Sequence, residues 1–245
     1  MTSELPNQLP PEGHNAMLNA LVAGGRKELE NQVSTVELEA DQLVTAEEDR
    51  AKGLLFPISC LMCRLVTMPE GNSVKVSLIG REGVAGIAAL VDKSRALYRT
   101  VVQLPGRALF LPRREAVRLL EVPRLARILA RYVLLLLRES SLTAACNRSH
   151  PTNSRLARWL LLIGDRIGRA DFPLTHESLS AMLGVRRESV TVSANELRTA
   201  GAISYLRARV TIADRSELLT HACSCYRVIT DGYVDFLKGG LAGRS

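Results

Sequence analysis

Leu174-Thr-His-Glu-Ser-Leu-Ser-Ala-Met-Leu-Gly184-Val-Arg-Arg-Glu-Ser-Val-Thr-Val-Ser-Ala-Asn-Glu-Leu-Arg-Thr-Ala-Gly201 is the stretch on which the fold turns. Thr175 is a good N-cap, because its hydroxyl can accept from a backbone N–H of the first helical turn. The helix it opens places Leu179, Met182 and Leu183 on one side. Gly184 stops that helix, since a left-handed backbone is cheap only for glycine. Val185 fills the corner, and a second helix follows from about Arg186 to Ala200, with Val190, Ala194 and Leu197 on its inner face. The opposite face carries Arg186, Arg187, Glu188, Thr191 and Ser193.

Two short helices joined by a tight glycine turn make a helix-turn-helix. The N-terminal half of its second helix is the part that reaches base edges in the major groove. An arginine fork can grip guanine O6 and N7 together, and a glutamate can accept from cytosine N4. Beyond Gly201, Ile203-Ser-Tyr-Leu206 and Arg209-Val-Thr-Ile212 pair as a hairpin with Arg207 and Arg209 at its tip, where a wing meets phosphate. A plain helical hairpin with a charged, solvated face is the competing reading. The conjunction of cap, glycine stop, Arg-Arg-Glu start and basic hairpin favours DNA.

Upstream of this unit, 153–167 reads as an amphipathic helix, with Leu156, Trp159 and Leu160 inward and Arg155, Arg158 and Arg166 on the other side. Before it, the stretch following Pro123 carries Leu125, Ile128, Tyr132, Leu135, Glu139, Leu142 and Cys146 at 3-4 spacing, the seam of a coiled coil. This helix is expected to pair with a twin, although Glu139 interrupts the seam. Between Val33 and Leu111 short apolar segments alternate with turn signals such as Pro69-Glu-Gly71-Asn72 and Pro105-Gly106, a pattern of many short strands closing into a roll or barrel. Residues 17–30 read as a short helix and 1–16 as a flexible arm.

The chain has 245 residues and a net charge of +7, distributed as −7 over 1–50, +10 over 51–150 and +4 over 151–245. A basic body suits a polyanion, because each phosphate contact releases condensed counterions. No apolar run reaches the roughly 20 residues that a bilayer requires, and the N-terminus lacks a basic start to an apolar stretch. A cytoplasmic protein with no membrane partner is expected.

Five cysteines are an odd number, so a disulfide framework is not expected. Cys60-Leu-Met-Cys63 lies in a strand-like stretch, where thiols serve as small apolar groups. Cys223-Ser-Cys225 is a closer pair, 160 positions away, and the two do not make the matched pairs of a structural zinc site. Neither a metal nor a cofactor is expected. None of the four histidines neighbours an evident nucleophile, so catalysis is not expected either; His176 is placed in the first turn of the helix after Thr175.

Several segments together resemble the Crp–Fnr family of bacterial regulators: Val74–Gly86, Val102-Gln-Leu-Pro-Gly106, Cys146-Asn-Arg-Ser-His150, Arg155-Leu-Ala-Arg-Trp-Leu160 and Leu183-Gly-Val-Arg-Arg-Glu188. The resemblance implies an α+β chain. Its parts would be a β-roll, jelly-roll-like sensor domain of the cyclic-nucleotide-binding type over 17–122, a dimerisation helix over 123–150, and a winged helix-turn-helix over 151–245. It further implies a homodimer on double-stranded DNA, with RNA polymerase and an unknown small-molecule effector as candidate partners. Thr175, Arg186, Arg187, Glu188, Ser189, Thr191, Val192, Arg207 and Arg209 are then the candidate DNA-binding residues.

The family's Arg-Glu pair falls on Arg187 and Glu188, but its second arginine falls on Val192, which implies a different operator. Departures on the ligand side are larger. No Gly-Glu occurs around Gly83–Leu90, and Leu97 stands where the cyclic-phosphate arginine would be, with Arg99 next to Thr100. Cyclic AMP binding in the usual mode is not expected, because a buried phosphate without those partners is costly to desolvate. The first 50 residues contain no cysteine for an iron–sulfur cluster, and His14 is a poor haem ligand. A nucleotide- or small-molecule-binding module acting on a protein partner is the alternative, but it leaves Arg186–Ser193 without a role.

Overall fold

A computed structural model describes residues 9–10, 13–71, 73–91 and 95–241. Ten strands and eight α-helices of this part follow in chain order. They are α1 (Ala16–Ala23), β1 (Ser34–Leu38), β2 (Leu43–Thr45), β3 (Gly53–Pro57), β4 (Leu61–Thr67), β5 (Ser73–Ile79), β6 (Arg99–Leu104), β7 (Gly106–Pro112), α2 (Arg113–Val117), α3 (Pro123–Ser149), α4 (Thr152–Ile167), β8 (Asp171–Pro173), α5 (His176–Leu183), α6 (Arg187–Thr199), β9 (Ile203–Leu206), β10 (Arg209–Ile212), α7 (Arg215–His221) and α8 (Cys225–Leu241).

The N-terminal strands form two antiparallel sheets, β2-β6-β4-β5 and β1-β7-β3. Leu38, Cys60, Met62, Ile79, Val102 and Ala108 fill the space between them. Leu61 and Cys63 on β4, with Leu78 on β5, face the other way into the main core, so β4 is buried on both faces from Leu61 to Leu65. This explains a continuous apolar strand that contains a cysteine. Burial pushes the Cys60 thiol up to about 12 and that of Cys63 up to about 11, so both stay protonated packing groups.

The stretch read as one helix over 17–30 is broken: α1 ends at Ala23 and a 3-10 turn follows over Lys27–Asn31. The break falls at Gly24-Gly25: Gly25 takes φ +123°, and a Cβ on Gly24 would come 2.5 Å from a Leu125 methyl on α3, so only glycine fits there. Most of the stretch read as an arm lies outside the described residues, as does Asn72. Asn15 belongs to the body. Its Oδ1 accepts from the Leu18 N–H, and its Nδ2 donates to the carbonyls of Pro57 and Gly83, each at 2.9 Å.

Helix α3 has two apolar stripes, and the sequence seam is the inner one. Leu125, Ile128, Tyr132, Glu139 and Cys146 are buried within their own chain, with Leu135 and Leu142 packed beside them. The outward stripe is instead Ala130, Val133, Leu134, Leu137, Ser141 and Ala144, with Leu134 64% and Leu137 61% exposed. Tyr132 fastens α3 to the roll. Its hydroxyl accepts from the Val84 N–H (3.0 Å) and donates to the Val84 carbonyl (3.2 Å).

Glu139 is buried because Arg166 meets it. The Arg166 guanidinium donates to both Glu139 oxygens at 3.0 Å and to the Leu78 carbonyl at 2.6 Å, and its Nε lies 3.2 Å from Glu82. Tyr233 on α8 donates to Glu139 at 2.8 Å. Roll, α3, α4 and α8 therefore meet at one ion cluster. Burial alone would pull the Arg166 value down, but Glu139 and Glu82 hold it above the usual one, so it remains a cation.

The amphipathic reading of α4 is corrected by the same geometry. Every residue from Arg155 to Ile167 is buried, including the three arginines assigned to a solvent face. Arg155 donates to the carbonyls of Asn147 and Leu183, Arg158 to the Thr143 hydroxyl, and Arg166 enters the cluster just described. A helix apolar or partnered all round belongs in the interior.

Candidate nucleic-acid interface

The helix pair forms as its local signals require. The Thr175 hydroxyl accepts from the Ser178 N–H at 3.1 Å, and Gly184 sits at φ +63° with its N–H on the Ser180 carbonyl at 2.8 Å. Leu179, Met182 and Leu183 of α5 pack with Val190, Ala194 and Leu197 of α6 in the main core. Ser193 is the exception to the predicted outer face. It is buried, because it lies one position before Ala194 and shares the inward edge of the helix.

Arg186, Arg187, Glu188, Ser189, Thr191 and Val192 are all exposed, with Val192 58% exposed. They share the N-terminal half of α6, whose first turn has no side-chain cap. Arg187 pairs with Glu177 of α5 at 2.8 Å, both side chains largely in water. Such a pair contributes little net stability and is easily exchanged for a stronger anion. Thr191 donates to the Arg187 carbonyl (3.1 Å) and lies 3.2 Å from His176 Nδ1. His176 stacks on Tyr205 with ring centroids 4.6 Å apart, and Tyr205 donates to the Leu174 carbonyl at 3.0 Å. Helices and wing are locked together at this histidine, which falls in the first turn of α5 as read.

The wing has three strands, in the order β8-β10-β9. Strand β8 escaped the sequence reading because three residues carry no periodic signal. Arg207 and Ala208 form the hairpin tip with φ of +48° and +59°, the conformation of a two-residue I′ turn that matches strand twist. Arg207 stands there exposed. Arg209 does not sit at the tip. It is the first residue of β10, and its Nε donates to Asp171 at 2.8 Å, with Thr211 donating to the same carboxylate at 3.1 Å. Asp171, 38 positions upstream, gave no local signal of this pairing. The Arg209 hydrogen bond holds the Asp171 carboxyl below its ordinary range.

Helix α5 also touches the roll directly. The Ser178 hydroxyl of α5 accepts from Lys75 of β5 and from the Gln103 amide of β6, each at 2.9 Å. The roll also holds a cavity of about 360 Å³ against α3, whose walls include Arg64, Val84, Leu97, Tyr98, Leu136 and Leu137. Arg64 stacks on Tyr98 at 5.0 Å and donates to Ser77 at 2.7 Å, while its Nη2 has no hydrogen-bond partner among the described residues. Leu97 lines the cavity and Arg99 does not.

No helix among the described residues is long and apolar enough to cross a membrane. Residues 154–220 match the family model of the Crp-like helix-turn-helix domain. No curated protein matches the chain. Among solved structures it is similar to FixK2 from Bradyrhizobium japonicum, with 14% identity, 78% of this chain and 98% of that one covered, and a TM-score of 0.67. It is also similar to the CRP-family transcriptional regulator TTHB099 from Thermus thermophilus (20%, 76% and 96%, 0.63). A third likeness is to CLP, the c-di-GMP responsive global regulator of Xanthomonas campestris (12%, 78% and 99%, 0.62). The expected order of β-roll, long helix and C-terminal winged helix-turn-helix is the observed one: residues 154–220 match the Crp-like helix-turn-helix domain, on a chain whose fold is similar to that of the CRP-family regulators.

Proposed function

We propose that this chain is a sequence-specific, DNA-binding transcription regulator that acts as a homodimer in the cytoplasm. Residues 17–122 serve as sensor, 123–150 as coupling and dimer helix, and 151–245 as reader. The observation that carries this reading is the exposed run Arg186–Ser189 with Thr191 and Val192, presented beside the free wing tip at Arg207. Arg187 and Glu188 have the chemistry to read guanine and cytosine, and Val192 to meet a thymine methyl. Thr175 stays the cap of α5, at the edge of the contact. Arg209 is committed to Asp171 and acts by shaping the wing rather than by meeting phosphate directly.

The outward stripe of α3 supports the dimer. Ala130, Leu134, Leu137, Ser141 and Ala144 recur at 4-3-4-3 spacing, the seam that a second copy would cover. The cavity supports an effector with an apolar body and one anionic group for Arg64, rather than cyclic AMP held in the usual way. RNA polymerase is the further partner that a bound regulator would meet.

Sites recovered by genome-wide immunoprecipitation supply the operator, and gel-shift titration then tests the reader. Arg187→Ala is expected to weaken operator binding by about 1–3 kcal/mol, roughly 5- to 150-fold, with weaker discrimination at one base pair. Equal affinity of Arg187→Ala and the parent chain for that operator would overturn the assignment.

A further inference from the structure

Three cysteines and one histidine, separated by up to 79 positions in the sequence, converge where α3 ends. Cys146 lies in its last turn and His150 is its C-cap, while Cys223 sits between α7 and α8 and Cys225 opens α8. The three sulfurs and a histidine ring nitrogen all lie within 4.8 Å of one another. Cys146 Sγ is 3.5 Å from Cys223 Sγ, and Cys225 Sγ is 3.7 Å from His150 Nδ1. A tetrahedral zinc ion has Zn–S bonds of about 2.3 Å and Zn–N bonds of about 2.0–2.1 Å, so its ligand atoms stand about 3.8 Å apart between sulfurs and about 3.5 Å from sulfur to nitrogen. The Cys146–Cys223 and Cys225–His150 separations match those edges to within a few tenths of an ångström, and the remaining ones lie within 4.8 Å.

A second observation is independent of the spacing. Arg158 is fully buried beside this group, and all three cysteines feel its charge. Its Nη1 reaches only the Thr143 hydroxyl at 3.4 Å, and its Nε and Nη2 have no hydrogen-bond partner among the described residues. A buried guanidinium without a carboxylate is costly unless a negative group faces it. Zinc with three thiolates and a neutral imidazole carries one net negative charge, which offsets Arg158.

We propose that Cys146, His150, Cys223 and Cys225 bind a single zinc ion that staples the end of α3 to the α7–α8 junction. Soft thiolates with one imidazole in a tetrahedral, closed array suit zinc over harder cations. Ligand atoms this close favour one ion over a multi-iron cluster, whose thiolates sit on different metals. On binding, the thiol protons pass to solvent. Sequence spacing hid the site because the Cys223-Ser-Cys225 pair is completed by a helix turn from the other side of the DNA-reading unit, not by Cys60 and Cys63.

The test uses the full chain, purified under reducing conditions, with zinc measured by mass spectrometry and then exchanged for cobalt(II). One zinc per chain is expected, with a cobalt spectrum of intense tetrahedral ligand-field bands and thiolate charge transfer. The double variant Cys223→Ser, Cys225→Ser is expected to lose the metal, and Cys60→Ser, Cys63→Ser to keep it. Arg158→Met should weaken zinc binding about 10- to 100-fold, as loss of an outer partner does. Should the cysteine variant fail to fold, the cobalt spectrum of the parent chain still decides. Substoichiometric metal with no thiolate–cobalt bands, metal retained in the Cys223, Cys225 variant, or an iron–sulfur chromophore would each overturn the proposal. None of these readouts depends on DNA binding.

Discussion

Arg166→Met is the perturbation that the ion cluster makes most informative. Arg166 is fully buried and is the cation that faces Glu82 (3.2 Å) and both oxygens of Glu139 (3.0 Å). Methionine keeps the length of the side chain and most of its packing, so the loss is electrostatic. Removing one partner of a buried ion pair costs about 3–5 kcal/mol. Here one substitution strands two carboxylates, which places the cost near the upper figure. Burial, only partly offset by Arg166, already pushes the Glu82 carboxyl up; without the guanidinium it would take a proton, which limits the loss. A cost of about 5 kcal/mol lowers the melting temperature of a chain this size by roughly 10–20 °C. Urea denaturation followed by circular dichroism measures the change. Adding Glu82→Gln and Glu139→Gln to Arg166→Met should recover at least about 2 kcal/mol, because the buried anions are then gone while an amide remains to accept from Tyr233. A cost of Arg166→Met below about 1 kcal/mol, or a triple variant no more stable than the single one, would refute the reasoning.

Three further outcomes are expected. Leu134→Glu with Leu137→Glu, on the outward stripe of α3, should halve the mass seen by sedimentation equilibrium without altering the far-ultraviolet spectrum; an unchanged mass would place the dimer contact elsewhere. Gly184→Ala should cost about 1–2 kcal/mol from the left-handed backbone alone, since a Cβ there meets nothing within 4 Å, and a thermal melt identical to the parent would contradict this. Asp171 is held low in the folded wing by Arg209, so its contribution is present above the unfolded value of about 3.9 and is lost as pH falls through the lower folded one. Protection of the β10 amides relative to their intrinsic exchange rates should therefore fall only in acid, and Asp171→Asn should remove that dependence.

The reader was legible because its signals are local. Thr175, Gly184 and the inward spacing Val190, Ala194, Leu197 each act within a few residues of their effect. The long helix was legible as a helix but not in its facing. Two stripes a few residues apart both fit the period, and only the neighbours decide which one turns inward. Tyr132 and Glu139 look out of place in a coiled-coil seam and become reasonable once Val84 and Arg166 stand opposite. The arginines of α4 mislead for the same reason. Composition assigns them to water, and their partners lie outside the helix, from Asn147 eight positions away to Leu183 and Leu78 at 28 and 88. The break after α1 was written locally in Gly24-Gly25, with Gly25 at φ +123°, but the apolar residues on either side of the pair masked it.

Val84 belongs to the cavity wall and also grips the Tyr132 hydroxyl with both its backbone N–H and its carbonyl. Gly83 lets the phenol approach so closely that an added Cβ would lie 2.3 Å from it. A guest that displaces this wall by a fraction of an ångström therefore drags the tyrosine along, since no side chain or solvent gap lies between them to absorb the movement. On the regulator reading proposed above, a guest inside the roll would be felt directly by the rod that ends beside helices α5 and α6.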